Sequence, residues 1–185
     1  MSTISEARAE VHQEMQQLVS LAERRSLLTA TEVEVALWSG VLRVGRSIMR
    51  LFFAHQVAKW PTGRRYDVHG IEHEVEGVEI GTKFGKVSLL QPTGREVGRP
   101  RARRDLPMSR ALRLPGGFTL PLVTLVVRFC AMMAFAPTRQ VFRELFGWAP
   151  APRSVLRMID TVGAEAVSSS RRPCQMPTPM CCSSR

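Results

Sequence analysis

His69, Glu72 and His73 form a pattern that matches a metal-dependent enzyme. Histidine, two residues, glutamate and histidine is the inverted zinc-protease motif, in which two histidines one helical turn apart hold the metal and the glutamate acts as the base. Gly70 and the alternating residues from Glu74 onward favour a strand or a loop. On a strand the two histidines would be about 13 Å apart, too far for one ion. With no third ligand in view, we predict no metal site here.

The other groups capable of chemistry do not combine into a catalytic centre either. The glycines and lysines of residues 81–86 lack the spacing of a phosphate-binding loop. Asp160 and Glu165 would lie on different faces of one helix, so they make no catalytic pair. The cysteines form no C-x-x-C pair that would suggest zinc or redox chemistry; they are Cys130, Cys174, Cys181 and Cys182. The sequence therefore predicts no catalytic residues, no cofactor and no metal.

The net charge of +10 comes from the second half of the 185 residues. Residues 1–90 carry 11 basic and 11 acidic side chains, whereas residues 91–185 carry 15 Arg, no Lys and five acids. A guanidinium group pairs with phosphates and with guanine edges through two parallel hydrogen bonds. This asymmetry predicts a polyanionic partner, with DNA as the leading candidate. A GC-rich genome would also favour Arg codons, so composition alone leaves that explanation open.

The pattern over residues 137–165 is typical of a helix-turn-helix. A first helix, 137–146, ends at Gly147, and a second begins near Pro152, where the missing N–H costs nothing in the first turn. In this motif the second helix enters the major groove and its first residues meet base edges. The predicted DNA contacts are Arg153, Ser154 and Arg157.

Four apolar residues are predicted to hold these two helices together: Val141, Leu145, Val155 and Ile159. The same spacing also fits two antiparallel helices that have no role in DNA binding. The motif therefore leaves two interpretations open, and the nearby positive charge favours the one that binds DNA.

Residues 91–117 combine Pro and Gly with seven Arg and only two acids, Glu96 and Asp105. Such a segment buries little apolar surface, so we predict an extended linker. Basic arms of this kind follow phosphates or reach into a minor groove. A solvated tether without DNA contact is the alternative. The predicted DNA contacts in the linker are Arg101, Arg103, Arg104 and Arg110.

Two long helices are expected to precede the basic half. Residues 5–24 repeat apolar side chains at helical spacing, and a capping box at 31–34 opens a second helix over 32–59. The apolar residues of this second helix alternate in steps of four and three, which predicts a seam that packs on another helix. The residues of this seam are Leu37, Val41, Val44, Ile48 and Leu51.

Three arginines lie off the seam and are interpreted as a solvated face, with phosphate contact as the alternative: Arg43, Arg46 and Arg50. A helical seam can pair between two copies of a chain as well as within one. The N-terminal helices are therefore a candidate contact for a homo-oligomer.

Between residues 66 and 90 the helical period gives way to alternation punctuated by glycine, which predicts a small β-hairpin. The expected fold is mainly α with a small β-hairpin element, long N-terminal helices, an Arg-rich linker, a C-terminal helix-turn-helix-like domain and a disordered tail. The predicted segments are 1–60 for the helical hairpin, 66–90 for the β element, 91–117 for the linker, 118–166 for the DNA-binding domain and 167–185 for the tail. The tail is rich in Ser, Pro and Cys and has no apolar period, so we expect it to be disordered.

The sequence shows neither a signal peptide nor a membrane-spanning segment. Its N-terminus is polar and acidic. The most apolar run, residues 120–135, contains Arg128 and falls short of the roughly 20 residues that span a bilayer. We therefore predict a cytoplasmic protein without a membrane partner.

Three stretches resemble the N-terminal region of Kra-type bacterial insertion-sequence transposases, which are DDE-type enzymes. They are residues 81–87, residues 106–119 and residues 127–160, the last including Phe142–Trp148 and Ser154–Asp160. The resemblance covers residues 78–166, with a looser similarity over the N-terminal helices. Some relatives carry a cysteine-bearing knuckle in the linker; this linker has no cysteine, which removes any expectation of zinc.

The resemblance implies a DNA-binding region that recognises transposon ends and precedes an RNase H-like catalytic core. The first catalytic aspartate of that core would lie on a strand beyond Glu165, so the chain is expected to be a truncated transposase that binds DNA without catalysing transposition. Read in another frame, a back-translated tail gives an acidic linker and a buried strand, which suggests a frameshift at 167–185. A complete small helix-turn-helix transcription regulator and a non-functional pseudogene product are the alternatives.

Overall fold

A computed structural model describes residues 4–23, 29–60, 65–66, 71–96 and 106–170. Its helices are α1 (Ile4–Glu23), α2 (Ala30–Val57), α3 (Pro107–Ala111), α4 (Leu120–Met132), α5 (Phe135–Phe146) and α6 (Pro152–Ser170), with a 3-10 turn at Pro115–Gly117. Its strands form one antiparallel sheet and are β1 (Arg65–Tyr66), β2 (Ile71–Thr82) and β3 (Gly85–Glu96), in that order. The protein is mainly helical with a small antiparallel sheet, which confirms the predicted fold class.

The capping box that opens α2 is Thr29–Glu32, so the predicted box at 31–34 is wrong. The backbone N–H of Glu32 donates to the Thr29 hydroxyl at 3.3 Å, and the backbone N–H of Thr29 donates to the Glu32 carboxylate at 2.8 Å. Both segments satisfy the spacing of a threonine followed three residues later by a glutamate. The earlier box adds residues 30 and 31 to the helix together with their hydrogen bonds.

α1 packs on a face of α2 that carries small and charged residues. Gly40 is buried against Leu18 of α1, and a Cβ on this glycine would overlap the leucine side chain. Two ion pairs flank this contact: Arg43–Glu14 at 3.0 Å and Arg50–Glu10 at 2.8 Å. Arg46 donates to the carbonyl of Phe84 at 3.1 Å. These arginines lie at the surface, as the interpretation of a solvated face expects, and they also make contacts within the chain; partly exposed pairs of this kind contribute at most about 1 kcal/mol each.

A second face of α2 packs on the sheet. The buried core between the helix, the sheet and α3 consists of Phe53, Ile80, Val87 and Met108. Gly45 lies so close to Phe84 in the β2–β3 turn that a Cβ there would overlap the ring. The absence of a side chain at residue 45 therefore lets the turn lie directly on the helix backbone.

The predicted seam of α2 is left largely at the surface. Leu37, Val41 and Ile48 are 44%, 39% and 48% exposed. The expectation that the seam packs on another helix of the chain is not met among the described residues. The reason is that α1 uses the face that includes Gly40, while the sheet uses the face that includes Phe53.

The predicted β-hairpin is present and is longer than expected. β2 and β3 pair from Thr82 opposite Gly85 at the turn to Ile71 opposite Glu96 at the far end. Gly85 has a φ of +125°, and the Thr82 hydroxyl donates to the Gly85 carbonyl at 2.8 Å. Residues 91–96, expected in the linker, instead form the end of β3, because the register set by the turn continues along both strands.

The rest of the predicted linker is also folded where the structure describes it. Residues 107–111 form α3, and Met108 is completely buried. Leu112 and Leu114 pack against the same core. The predicted linker is thus wrong for residues 91–96, which continue β3, and for residues 106–117, where apolar side chains between the arginines reach a core. Residues 97–105 lie outside the described residues.

α4, α5 and α6 form a three-helix unit in which α4 packs against the other two helices. Its buried residues are Leu122, Val123, Val126, Phe142, Val155 and Met158. Val155 is buried in this core and Ile159 packs against it, but α6 packs mainly on α4 rather than on α5, and Leu145 is 42% exposed. The predicted contact of Val155 and Ile159 with Val141 and Leu145 is therefore corrected. Phe142 is the residue of α5 that packs against α4, and its ring meets Phe129 edge-on at 5.5 Å. Leu145 is therefore left on the exposed side of α5.

The last helix runs further than the sequence indicated. α6 continues to Ser170, so the first residues of the expected disordered tail are helical. Residues 171–185 lie outside the described residues. Within the described ranges, no helix has both the length and the apolar character required to cross a bilayer.

Candidate nucleic-acid interface

α6 presents a basic outer face. Its inner face is fixed by Val155 and Met158, each 3% exposed. At 3.6 residues per turn, Arg153 and Arg157 then fall on the opposite side, and both are exposed. The structure thus brings together two of the three residues predicted to read bases, one turn apart in the N-terminal half of the helix.

Three further residues surround the two arginines on α6. Ser154, the third predicted contact, is half-buried at the edge of the outer face, and its backbone N–H donates to the Ala151 carbonyl at 2.9 Å. Leu156 and Asp160 are exposed on the outer face itself. A leucine in a major groove can contact a thymine methyl group, and an aspartate can accept from the amino group of cytosine. The outer face therefore has groups for apolar and polar base contacts as well as for phosphates.

The turn between α5 and α6 is anchored on the sheet. Gly147 ends α5 with a φ of +70°, the left-handed helix stop that the sequence predicted. Trp148 then lies against Gly81 of β2, where a Cβ would be 3.3 Å from the indole Cη2. Thr119, which precedes α4, donates its backbone N–H to the Gly81 carbonyl at 3.0 Å. These two contacts therefore attach the three-helix unit that contains α6 to the sheet at Gly81.

α2 contacts the same unit at a second point. The indole N–H of Trp38 donates to the backbone carbonyl of Leu145 in the last turn of α5. Carbonyls in this position have no partner within their own helix. Together with the contacts at Gly81, this bond fixes the orientation of α5 and α6 relative to the N-terminal half.

A second basic element borders α6. The 3-10 turn at Pro115–Gly117 packs against α6, and the Cδ of Arg157 lies 3.6 Å from where a Cβ on Gly116 would stand. Just before this turn, Arg113 is exposed between two leucines that pack on the core. Arg110, a predicted DNA contact, is exposed on α3. The end of α3 and the outer face of α6 are thus neighbouring sources of positive charge.

Arg113 has an unusual backbone conformation. Its φ is +51°, the only positive value at a non-glycine residue in the described part of the chain. Its N–H donates to the Arg110 carbonyl at 3.1 Å, and the N–H of Leu114 donates to the Ser109 carbonyl at 2.8 Å, which is the Schellman pattern at the end of α3. Glycine is usual at this position, because a side chain in the left-handed region costs about 1–2 kcal/mol. An arginine therefore stands where the fold alone favours glycine.

The charge around this surface is strongly one-sided. Residues 106–164 carry seven arginines against two acids, Glu144 and Asp160. The arginines are Arg110, Arg113, Arg128, Arg139, Arg143, Arg153 and Arg157. Such an excess attracts polyanions over several ångströms and speeds their association.

The remaining predicted residues are placed as follows. Arg101, Arg103 and Arg104 lie outside the described residues, and so does His69. Glu72 and His73 lie on β2, which makes this part of the H-x-x-E-H segment a strand rather than the helix that a zinc protease requires. Among the residues that the structure describes, no three His, Cys, Asp or Glu side chains are grouped so that they could hold a metal ion.

Two residues of the interface were not singled out from the sequence. Arg113 was grouped with the linker arginines, although its position between two leucines indicates an exposed residue on a packed segment. Leu156 is three residues after Arg153, and helical spacing alone would have placed it on the same face. Both signals depend on recognising α3 and the inner face of α6 first.

Comparison with models of protein families, with curated protein sequences and with solved structures gave no match to this chain. The functional interpretation therefore rests on the residues and contacts described above.

Proposed function

We propose that this protein binds double-stranded DNA by inserting the outer face of α6 into the major groove. The observation that carries the proposal is the pair Arg153 and Arg157, exposed one turn apart on a helix whose opposite face is locked into a three-helix core. The major groove is about 12 Å wide and accepts one α-helix. In this arrangement the arginines meet guanine edges or phosphates, and Leu156 meets a thymine methyl group.

The elements around α6 suit this role. Sequence readout needs a helix that keeps its orientation when it meets DNA, and Trp148, Gly81 and Trp38 attach the three-helix unit to the rest of the chain. Arg110 and Arg113, on the segment that borders α6, supply phosphate contacts beside the groove. Contacts of this second kind set register and affinity without reading sequence.

We further propose that the chain is the end-binding part of an insertion-sequence transposase and acts in the cytoplasm. The resemblance over residues 78–166 supports this, and that range includes the anchored turn, α5 and most of α6. A helix-turn-helix regulator would use the same surface, so the two functions differ in the DNA that is bound. Terminal inverted repeats of a mobile element are the expected target of the first.

The salt dependence of binding to a labelled duplex of random sequence tests the general proposal. If 4–6 phosphates are neutralised, the logarithm of the association constant should fall with the logarithm of salt concentration with a slope of roughly −4 to −5. Absence of binding at low salt, or binding that does not respond to salt, would contradict DNA binding through arginines.

Selection from a random duplex pool then provides the preferred sequence for a sharper test. Arg153→Ala and Arg157→Ala should each weaken binding to that sequence by about 1–3 kcal/mol and relax its base preference. Arg128→Ala, an exposed arginine of α4, is the matched control and should leave the preference unchanged. If both α6 variants bind the selected sequence as the wild type does, α6 is not the reading helix.

A further inference from the structure

Helix α2 has three faces, and two of them pack on other elements within the part of the chain that the structure describes. α1 covers the face that includes Gly40 and Ser47, and the sheet covers the face that includes Gly45 and Phe53. The third face carries the seam together with Phe52. At 3.6 residues per turn, these side chains fall within an arc of about 100°. The residues of this outer stripe are Leu37, Val41, Val44, Ile48, Leu51 and Phe52.

The outer stripe is apolar along its whole length. From Leu37 to Phe52, the arc contains no charged or polar side chain, and Phe52 is itself 43% exposed. Single exposed apolar residues are ordinary, but a continuous apolar patch on a folded surface marks an interaction site. The steps of four and three are those of helices that pair side by side.

We propose that the outer stripe pairs with the same stripe of a second copy of this chain, with the two α2 helices antiparallel across a two-fold axis. Such an interface uses one patch on both copies, so every contact occurs twice. When the midpoints of the two stripes are aligned, Val41 of one copy faces Ile48 of the other, and Leu37 faces Phe52. This proposal does not depend on DNA binding.

The charges that flank the stripe select the antiparallel direction. On the same arc, Glu34 precedes the stripe and His55 follows it, and Lys59 comes next in the turn after α2; all three are exposed. In the antiparallel register, Glu34 of each copy faces His55 of the other, and Lys59 lies one turn beyond. A parallel pair would instead place glutamate against glutamate and lysine against lysine, which is unfavourable.

The size of the stripe predicts the strength of the dimer. The helix rises about 22 Å from Leu37 to Phe52, so two stripes in contact bury on the order of 1,000 Å² in total. That area is at the lower limit of specific interfaces. We therefore expect a dimer that dissociates in the micromolar range and whose population depends on concentration.

Sedimentation velocity of the full chain, without DNA and over a range of concentrations, tests the interface. Val41→Glu places a charge in the stripe and should shift the dissociation constant by at least tenfold. Val35→Glu is the matched control, because Val35 is exposed at 63% on the same helix but outside the stripe. Circular dichroism checks that both variants keep their fold. A wild type that is monomeric up to about 100 µM, or equal effects of the two variants, would overturn the proposal.

A charge exchange tests the direction of pairing. In the antiparallel dimer, Glu34→Lys should weaken association, and the double variant Glu34→Lys with Lys59→Glu should restore it. In a parallel dimer each substituted residue would still face its own copy, so both variants would keep like charges in contact. A Glu34→Lys variant that associates as the wild type does, or a double variant that does not regain association, would overturn the antiparallel arrangement. If the chain stays monomeric and still binds DNA, this inference fails and the proposed function stands.

Discussion

Trp38 in α2 donates its indole N–H to the carbonyl of Leu145 in the last turn of α5, across 107 residues of sequence. The bond satisfies one of the carbonyls that a helix end leaves without an internal partner. It also ties the helix that carries the outer stripe to the unit that carries the candidate DNA-reading helix. Two surfaces with separate proposed partners are thereby held in one relative orientation.

Trp38→Phe keeps an aromatic ring at this position and removes the indole N–H donor. We expect a loss of about 1 kcal/mol in the free energy of unfolding, the usual contribution of one hydrogen bond. Urea denaturation followed by circular dichroism measures this loss. An unchanged midpoint would mean that the bond contributes nothing in solution.

Replacing Arg113 should separate stability from DNA affinity. Arg113→Gly relieves the left-handed φ, so we expect the free energy of unfolding to rise by about 1 kcal/mol while binding to a random duplex weakens. Arg113→Ala is the control: it removes the same charge but keeps the strained backbone, so it should weaken binding without a gain in stability. Thermal melting and fluorescence anisotropy measure the two effects. A glycine variant that melts below the wild type would contradict the assignment.

Over residues 152–164 of α6, Asp160 is the one acid on the outer face, where its carboxylate would repel the phosphates of a bound duplex. We expect Asp160→Asn to tighten binding to random duplex several-fold and to reduce the preference for the selected sequence. Glu144→Gln on α5 changes the net charge equally and should have a smaller effect, because that helix lies outside the proposed groove contact. Competition between selected and random duplexes measures the preference. Equal effects of the two variants would indicate that only net charge matters.

The capping box at the start of α2 should make stability depend on pH. The backbone N–H of Thr29, and then its hydroxyl, lower the pKa of Glu32 below the ordinary value of a glutamate. A lowered folded-state pKa stabilises the fold above the unfolded-state pKa, and this contribution disappears as the pH falls through the folded-state value. Melting of Glu32→Gln and wild type from pH 6 to pH 3 should therefore differ at the upper end and converge at the lower. A constant difference would exclude this origin.

The purified chain should neither cut nor join DNA in Mg²⁺ or Mn²⁺. Two-metal phosphoryl transfer requires carboxylates that hold ions about 4 Å apart. Three of the described acids are engaged otherwise: Glu10 and Glu14 pair with arginines of α2, and Glu79 pairs with Lys86 at 2.8 Å. A supercoiled-plasmid nicking assay is the measurement. Metal-dependent nicking that persists through stringent purification would require a catalytic site that this proposal lacks.

Local patterns in the sequence predicted the features that depend on local physics. The hairpin follows from alternation and from Gly85, the end of α5 follows from Gly147, and the start of α6 follows from Pro152. The outer face of α6 follows from helical spacing alone. These features need no knowledge of the rest of the chain.

Features that depend on distant partners were not predictable in this way. Met108 lies among prolines and arginines in the sequence. It is buried because Phe53 and Ile80, which are distant in sequence, form the core that it joins. The sequence did not predict which face of α2 packs on α1. Gly40 and Ser47 line that contact, whereas the regularly spaced apolar residues of the seam stay largely exposed. The spacing of apolar residues shows that a helix face is apolar, but it does not show which element packs on that face.

Most of the buried apolar residues form two clusters, one around Phe53 and one around Phe142, with Gly81 at their junction. Because each group draws on its own helices, each can open while the other stays closed, as cooperative subunits of folding do. Amide protons of α2 and α4 should therefore exchange with separate opening free energies. At the junction, Phe118 and Trp148 close over a residue without a side chain, and a Cβ there would overlap the Phe118 ring, so any substituent at Gly81 would shift the three-helix unit relative to the sheet.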